Sequence, residues 1–184
     1  MEKTFILQAT DISIGYSNKK ETTTVASKVT IALEKGKLTA LIGANGIGKS
    51  TLLRTLIGIQ SPLFGKVLLE NKDIHSINNL TLAQHLSVVL TDKLPPSNLT
   101  VFELVALGRQ PYTNWIGKLT SEDIEKVKEA LELTQITHLA DKKHDEISDG
   151  QLQIVLIARA LAQDTPLIVL DEPTTHLDLL HKVT

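Results

Sequence analysis

The stretch Gly43-Ala44-Asn45-Gly46-Ile47-Gly48-Lys49-Ser50 constrains what this chain can fold into more than any other. It has the spacing of a phosphate-binding glycine loop, and it stands between an apolar run at 38–42 and the helix-forming run Thr51-Leu52-Leu53-Arg54-Thr55-Leu56-Ile57. Glycine enters left-handed conformations without a Cβ clash, so such a loop can turn successive backbone N–H groups toward one anion. The helix that follows adds the positive end of its dipole. The reading is a site for a nucleoside triphosphate, with Asn45, Gly46, Gly48 and Thr51 around the phosphates. Lys49 reaches the β- and γ-phosphates, and Ser50 ligates Mg²⁺.

At 184 residues the chain is long enough for one domain with a proper core, burying roughly 70% of its unfolded surface. A formal net charge of −2 without any block of Lys or Arg argues against nucleic acid, whose binders need a basic field. Cysteine is absent, which excludes disulfides and thiolate metal sites. No apolar run approaches the length of a membrane span, and the first residues carry too short an apolar stretch for a signal peptide. A membrane role must then come through a partner.

Segments 5–16 and 25–33 read as strands around a polar loop, and 66–70 as a third strand before the turn Asn71-Lys72-Asp73. The runs 38–42, 87–90 and 167–170 are almost continuously apolar, as in parallel strands covered on both faces. Polar or glycine residues follow each of them. Ligands of an open α/β sheet sit beyond the carboxyl ends of its strands, so Gly43, Thr91 and Asp171 are expected to converge. Segment 95–146 reads as mainly helical, with amphipathic stretches at 101–107 and 121–133, and is expected to be a helical subdomain inserted into the α/β core. Val101, Leu104 and Val105 are expected in its interior.

The apolar run 167–170 ends in Asp171-Glu172, which supplies the carboxylates that a Mg·ATP site needs. Asp171 is read as holding the metal and Glu172 as orienting or deprotonating the attacking water. Ser148 and Gln151 stand at capping-box spacing before a helix running to about Ala162. A cap alone explains them, yet a capped helix start with Ser148 and Gly150 is also an anion site.

From about Leu7 onward this order of motifs resembles an ATP-binding-cassette (ABC) ATPase, the motor subunit of ABC transporters. Walker A is 43–50, the signature motif Ile147-Ser148-Asp149-Gly150-Gln151, Walker B 167–171 with Glu172 following, and the D-loop 175–178. The resemblance implies an α/β fold: a P-loop NTPase (RecA-like) core, an antiparallel β subdomain and an inserted helical subdomain, at about 92–147 of a single 1–184 domain. It also implies a head-to-tail dimer in which Ser148, Gly150 and Gln151 of one subunit complete the ATP site of another, each chain supplying both surfaces across a two-fold axis. Tyr16 matches the aromatic that stacks on adenine, although a strand-end core tyrosine fits equally. Thr100-Val101-Phe102-Glu103-Leu104-Val105, Gly108-Arg109-Gln110-Pro111-Tyr112 and Gly117-Lys118-Leu119 are similar to the importer subfamily that serves iron–siderophore, haem and cobalamin. That likeness implies a membrane-spanning permease as partner and a place on the cytoplasmic face of the plasma membrane.

Three features depart from the family pattern. Thr91 stands where the family carries a Gln that touches Mg²⁺, and keeps a shorter oxygen ligand for the metal. Asp149 replaces a glycine, and its charge suits a helix start but repels a nearby γ-phosphate. The family continues beyond the position of Thr184, through a helix and a core strand bearing a histidine. His176 and His181 follow Walker B too closely to take that role. The expectation is therefore a truncated cassette lacking its final core strand, with an exposed sheet edge and either poor solubility or dependence on a partner. Three functions remain open: an ATP-hydrolysing importer subunit, a nucleotide-binding module with impaired hydrolysis, and a soluble ABC protein of translation or DNA repair.

Overall fold

The computed structural model describes residues 4–18, 21–90 and 97–173. Two compact units are formed, Met1–Leu82 and Ala83–Thr184.

In the first unit, β1 (Phe5–Ser17) pairs antiparallel with β2 (Thr22–Glu34) on one side and β3 (Phe64–Leu69) on the other. The short β4 (Lys72–Asp73) closes the sheet in the order β2-β1-β3-β4. Alternation along β1 puts Leu7, Ala9, Ile12 and Ile14 inside, as period-two patterning requires of a sheet covered on one face. The pairing slips register between Ala9 and Ile12, where Asp11 takes a left-handed φ of 53°. There the Asp11 N–H donates to Thr30 Oγ1 at 3.1 Å instead of the ladder. Helix α1 (Lys49–Leu56) packs against β1 and buries Thr51, Leu52, Thr55 and Leu56.

The expected strand at 38–42 is not formed: these residues take no strand pairing, and Leu38 is 100% and Ile42 89% exposed. A parallel strand exists only through the neighbour that hydrogen-bonds it, and among the described residues none pairs with this run. The other expected strands are present with ends shifted by a few residues, β2 opening at Thr22 and β3 at Phe64.

Helix α2 (Asn79–His85) leads into the second unit. There β5 (Leu86–Val89) and β6 (Leu167–Leu170) form a parallel pair, with Leu86 opposite Leu167 and Val89 opposite Leu170. β5 is largely buried and β6 only half so. Between them in sequence lie α3 (Val101–Ala106), α4 (Ser121–Leu133) and α5 (Asp149–Ala162); α3 and α4 fall within the segment 95–146 expected to be mainly helical, and α5 follows it. Val101, Leu104 and Val105 of α3 pack with Val127, Ala130 and Leu131 of α4 and Val155, Ala158 and Ala162 of α5. α5 also covers β5 through Leu156 and Ala160 against Val89. The approach is close: a Cβ built on Gly108 would stand 2.3 Å from the Arg159 carbonyl oxygen.

Each helix of this unit that the sequence marks with Thr or Ser followed three residues later by an acid or amide is closed by that pair. Thr100 with Glu103, Thr120 with Asp123 and Ser148 with Gln151 all form reciprocal capping boxes.

Candidate nucleotide site

The phosphate loop leads into α1 through two left-handed glycines, Gly46 at φ 77° and Gly48 at φ 105°. A side chain at Gly48 is excluded twice over, because its Cβ would also lie 2.4 Å from Val25 Cγ1 of β2. Gly48 caps α1 without any side-chain hydrogen bond, and the first turn holds no acidic residue. A helix start with the positive end of its dipole and no acid in its own first turn suits an incoming anion. Lys49, first residue of the helix, donates from Nζ to the carbonyl oxygens of Gly43 and Ala44, each at 2.9 Å. This lays the ammonium along the loop. Ser50 is half-buried beside it, and Thr51 is buried.

Tyr16 lies at the end of β1, opposite Thr23. Its Oη is 2.8 Å from Thr51 Oγ1, while the residue as a whole stays 55% exposed. A strand-end core tyrosine is thereby ruled out. The hydroxyl contact was not legible in the sequence, since 35 positions separate the two residues.

In the second unit the acidic pair is placed by the end of the parallel ladder. Gln163 Nε2 donates to the carbonyls of Ala83 and Leu86 at 2.6 and 3.1 Å, and Thr165 Oγ1 bonds to Ser87 Oγ at 3.0 Å, fastening the entry of β6 to β5. The Asp171 N–H then donates to Val89 O at 2.9 Å, extending the pairing one residue past β6. Asp171 is buried and Glu172 exposed. Glu172 takes φ 47°, a conformation costing a non-glycine residue about 1–2 kcal/mol. Strain of this kind persists only where the surroundings impose it.

Ser148, Gly150 and Gln151 open α5. Gln151 N–H donates to Ser148 Oγ at 3.2 Å and Ser148 N–H to Gln151 Oε1 at 3.0 Å. Ser148 and Asp149 face solvent. Thr91, expected to touch the metal, lies outside the described residues, as do the D-loop 175–178, His176 and His181.

The importer-like segment contains a pair that motif reading passed over. Arg109 and Asp123 are 4% and 2% exposed, with Arg109 Nε 2.9 Å from Asp123 Oδ1. Arg109 Nη1 donates to the Ala162 carbonyl at 3.0 Å, at the end of α5, and the guanidinium lies 4.0 Å from the Tyr112 ring centroid. The T-x-x-D spacing at 120–123 was the available sequence signal, though it points to a cap and not to a buried ion pair.

A glycine loop feeding a helix that starts with lysine, and a parallel strand that ends in Asp-Glu, are the two motifs of the P-loop nucleoside triphosphatase class. Residues 26–175 match the ABC transporter family, and the chain belongs to that family. It is 41% identical over 177 residues to the iron(3+)-hydroxamate import ATP-binding protein FhuC of Bacillus subtilis, covering 96% of this chain and 64% of that protein. It is 40% identical over 177 residues to the ferric enterobactin transport ATP-binding protein FepC of Escherichia coli, with the same coverage. Among solved structures, an inward-facing putative metal-chelate type ABC transporter superposes with a TM-score of 0.80 at 32% identity, over 97% of this chain and 65% of that one. An ATP-binding cassette in a dimeric, post-hydrolysis state with ADP and Pi gives 0.78 at 26% identity, over 95% and 77%. The chain spans about three fifths of the length of the curated relatives it matches. The fold is thus a P-loop cassette with an antiparallel β region and a helical region.

Proposed function

We propose that this chain is the ATP-binding and ATP-hydrolysing part of a subunit that powers an importer of metal chelates, ferric siderophores first among them. The observation that carries the reading is the phosphate loop: left-handed Gly46 and Gly48, a helix start free of side-chain caps, and Lys49 at its first position. Lys49 and the α1 amides bind the triphosphate, and Thr51 adds a hydroxyl. Ser50 and Asp171 offer a hydroxyl and a buried carboxylate, hard oxygen donors of the kind Mg²⁺ takes. When bound, Mg²⁺ neutralises charge on the β- and γ-phosphate oxygens. Glu172, exposed just beyond Asp171, orients the attacking water and takes its proton.

Ser148, Gly150 and Gln151 serve the nucleotide of a second subunit in a head-to-tail dimer. No helix among the described residues is long and apolar enough to cross a membrane, and attachment to the cytoplasmic face runs through a permease. The siderophore assignment is supported by relatives named for iron-hydroxamate and enterobactin transport; haem and cobalamin are the alternative cargoes. A module with impaired hydrolysis is the second reading, favoured by the exposed Asp149 carboxylate in the first turn of α5.

Lys49→Ala should abolish ATP binding, whereas Glu172→Gln should bind ATP, accumulate as a dimer and release no phosphate. Equal loss of binding in Glu172→Gln would remove Glu172 from the chemistry. Single-turnover phosphate release by the unaltered chain separates the two readings.

A further inference from the structure

The end of β1 is fixed both to the phosphate-loop helix and to the turn that follows it. Gln60 Nε2 donates to the Gly15 carbonyl, and one residue on, the Tyr16 hydroxyl meets Thr51 Oγ1 at 2.8 Å. Thr51 is itself held: it is 7% exposed, and its carbonyl accepts from Thr55 Oγ1 at 2.8 Å. On the neighbouring strand, Val25 closes against Gly48. The hairpin of β1 and β2 therefore braces the helix start that carries Lys49 and Ser50.

A hydroxyl has one proton to give and two lone pairs to receive with. When a phosphate oxygen approaches Thr51, the Thr51 proton turns to that anion and its oxygen is left to accept. Tyr16 Oη–H is the donor at hand. A hydroxyl that accepts one hydrogen bond donates more strongly in another, because the two polarise each other in sequence.

We propose that the Tyr16 hydroxyl is a positioning group for the triphosphate: it donates to Thr51 Oγ1 and thereby aims and strengthens the Thr51 hydroxyl as a phosphate donor. Tyr16 then acts on the phosphate end of the nucleotide through its oxygen, whatever its ring does with the base. The inference rests on the reading of Gly43 to Thr51 as the phosphate site.

The test uses the full chain and two probes, ATP and inorganic tripolyphosphate, the second having no base to stack. Tyr16→Phe keeps the ring and removes the oxygen. It should weaken both probes by the same factor, about 3- to 10-fold, the range of one neutral hydrogen bond. Thr51→Val should weaken them as well, and Tyr16→Phe/Thr51→Val should bind no more weakly than Thr51→Val alone, because both substitutions break one link. Tripolyphosphate affinity unchanged in Tyr16→Phe, or losses that simply add in the double variant, would overturn the proposal. Lys49→Ala run beside them keeps the two readings apart. If it loses tripolyphosphate while Tyr16→Phe does not, only the positioning role falls; if it retains tripolyphosphate, the phosphate site falls and the positioning role with it.

Discussion

Arg109 and Asp123 show how a single pair can organise a whole unit. Burial raises the Asp123 carboxyl, but the Thr120 N–H and hydroxyl and the Arg109 guanidinium outweigh it and hold the carboxyl below its ordinary range. Oδ2 accepts from Thr120 N and Oγ1 at 2.8 and 2.7 Å, and Oδ1 takes Arg109. A carboxylate with a depressed folded pKa contributes stability that is full above its unfolded value and is lost as pH falls through the folded one. Asp123→Ala leaves Arg109 buried without its partner and should cost about 3–5 kcal/mol at neutral pH. The gap between wild type and variant should close as pH drops through and below the aspartate range. Urea midpoints measured from pH 7 downward read this directly, and a gap independent of pH would assign the loss to packing alone.

Among the elements, α5 joins a shown duty to a proposed one on a single residue. Ser148 closes the helix start through Gln151, and the proposed function gives it a second subunit's nucleotide as well. Ser148→Ala should lower stability by about 0.5–2 kcal/mol. Ser148→Asn, whose side chain also caps well, should recover the stability. If the hydroxyl itself serves the neighbouring phosphate, ATPase activity should stay low in both variants. Activity returning with Asn, in thermal melts and phosphate-release assays run together, would leave Ser148 as a cap only. The capping boxes of α3, α4 and α5 were readable from spacing, because a cap joins residues three apart in sequence and depends on little else. β5 and β6 were readable from their almost continuous apolar runs, which lack polar alternation; β5 is largely buried, as such a run predicts, and β6 only half so.

For the whole molecule, the same reasoning met its limit at 38–42. This run has the composition of a buried strand, yet Leu38 and Ile42 are open to solvent and Leu41 is 44% exposed. Apolar side chains exposed in this way are an association liability. Leu38→Thr with Ile42→Thr should lower the oligomer fraction of this chain in sedimentation velocity at a given concentration. An unchanged distribution would place the association elsewhere.

What the sequence determined alone was local: the glycine loop with its lysine, the acid pair closing an apolar run, and the caps, each encoded within a few neighbouring residues by conformational preference and short hydrogen bonds. Tertiary structure alone decided which apolar run obtains a strand partner, that the Tyr16 hydroxyl meets Thr51, and that Arg109 reaches the Ala162 carbonyl 53 positions away. Each of these needs a neighbour that chain folding brings from afar, and no spacing along the chain specifies it.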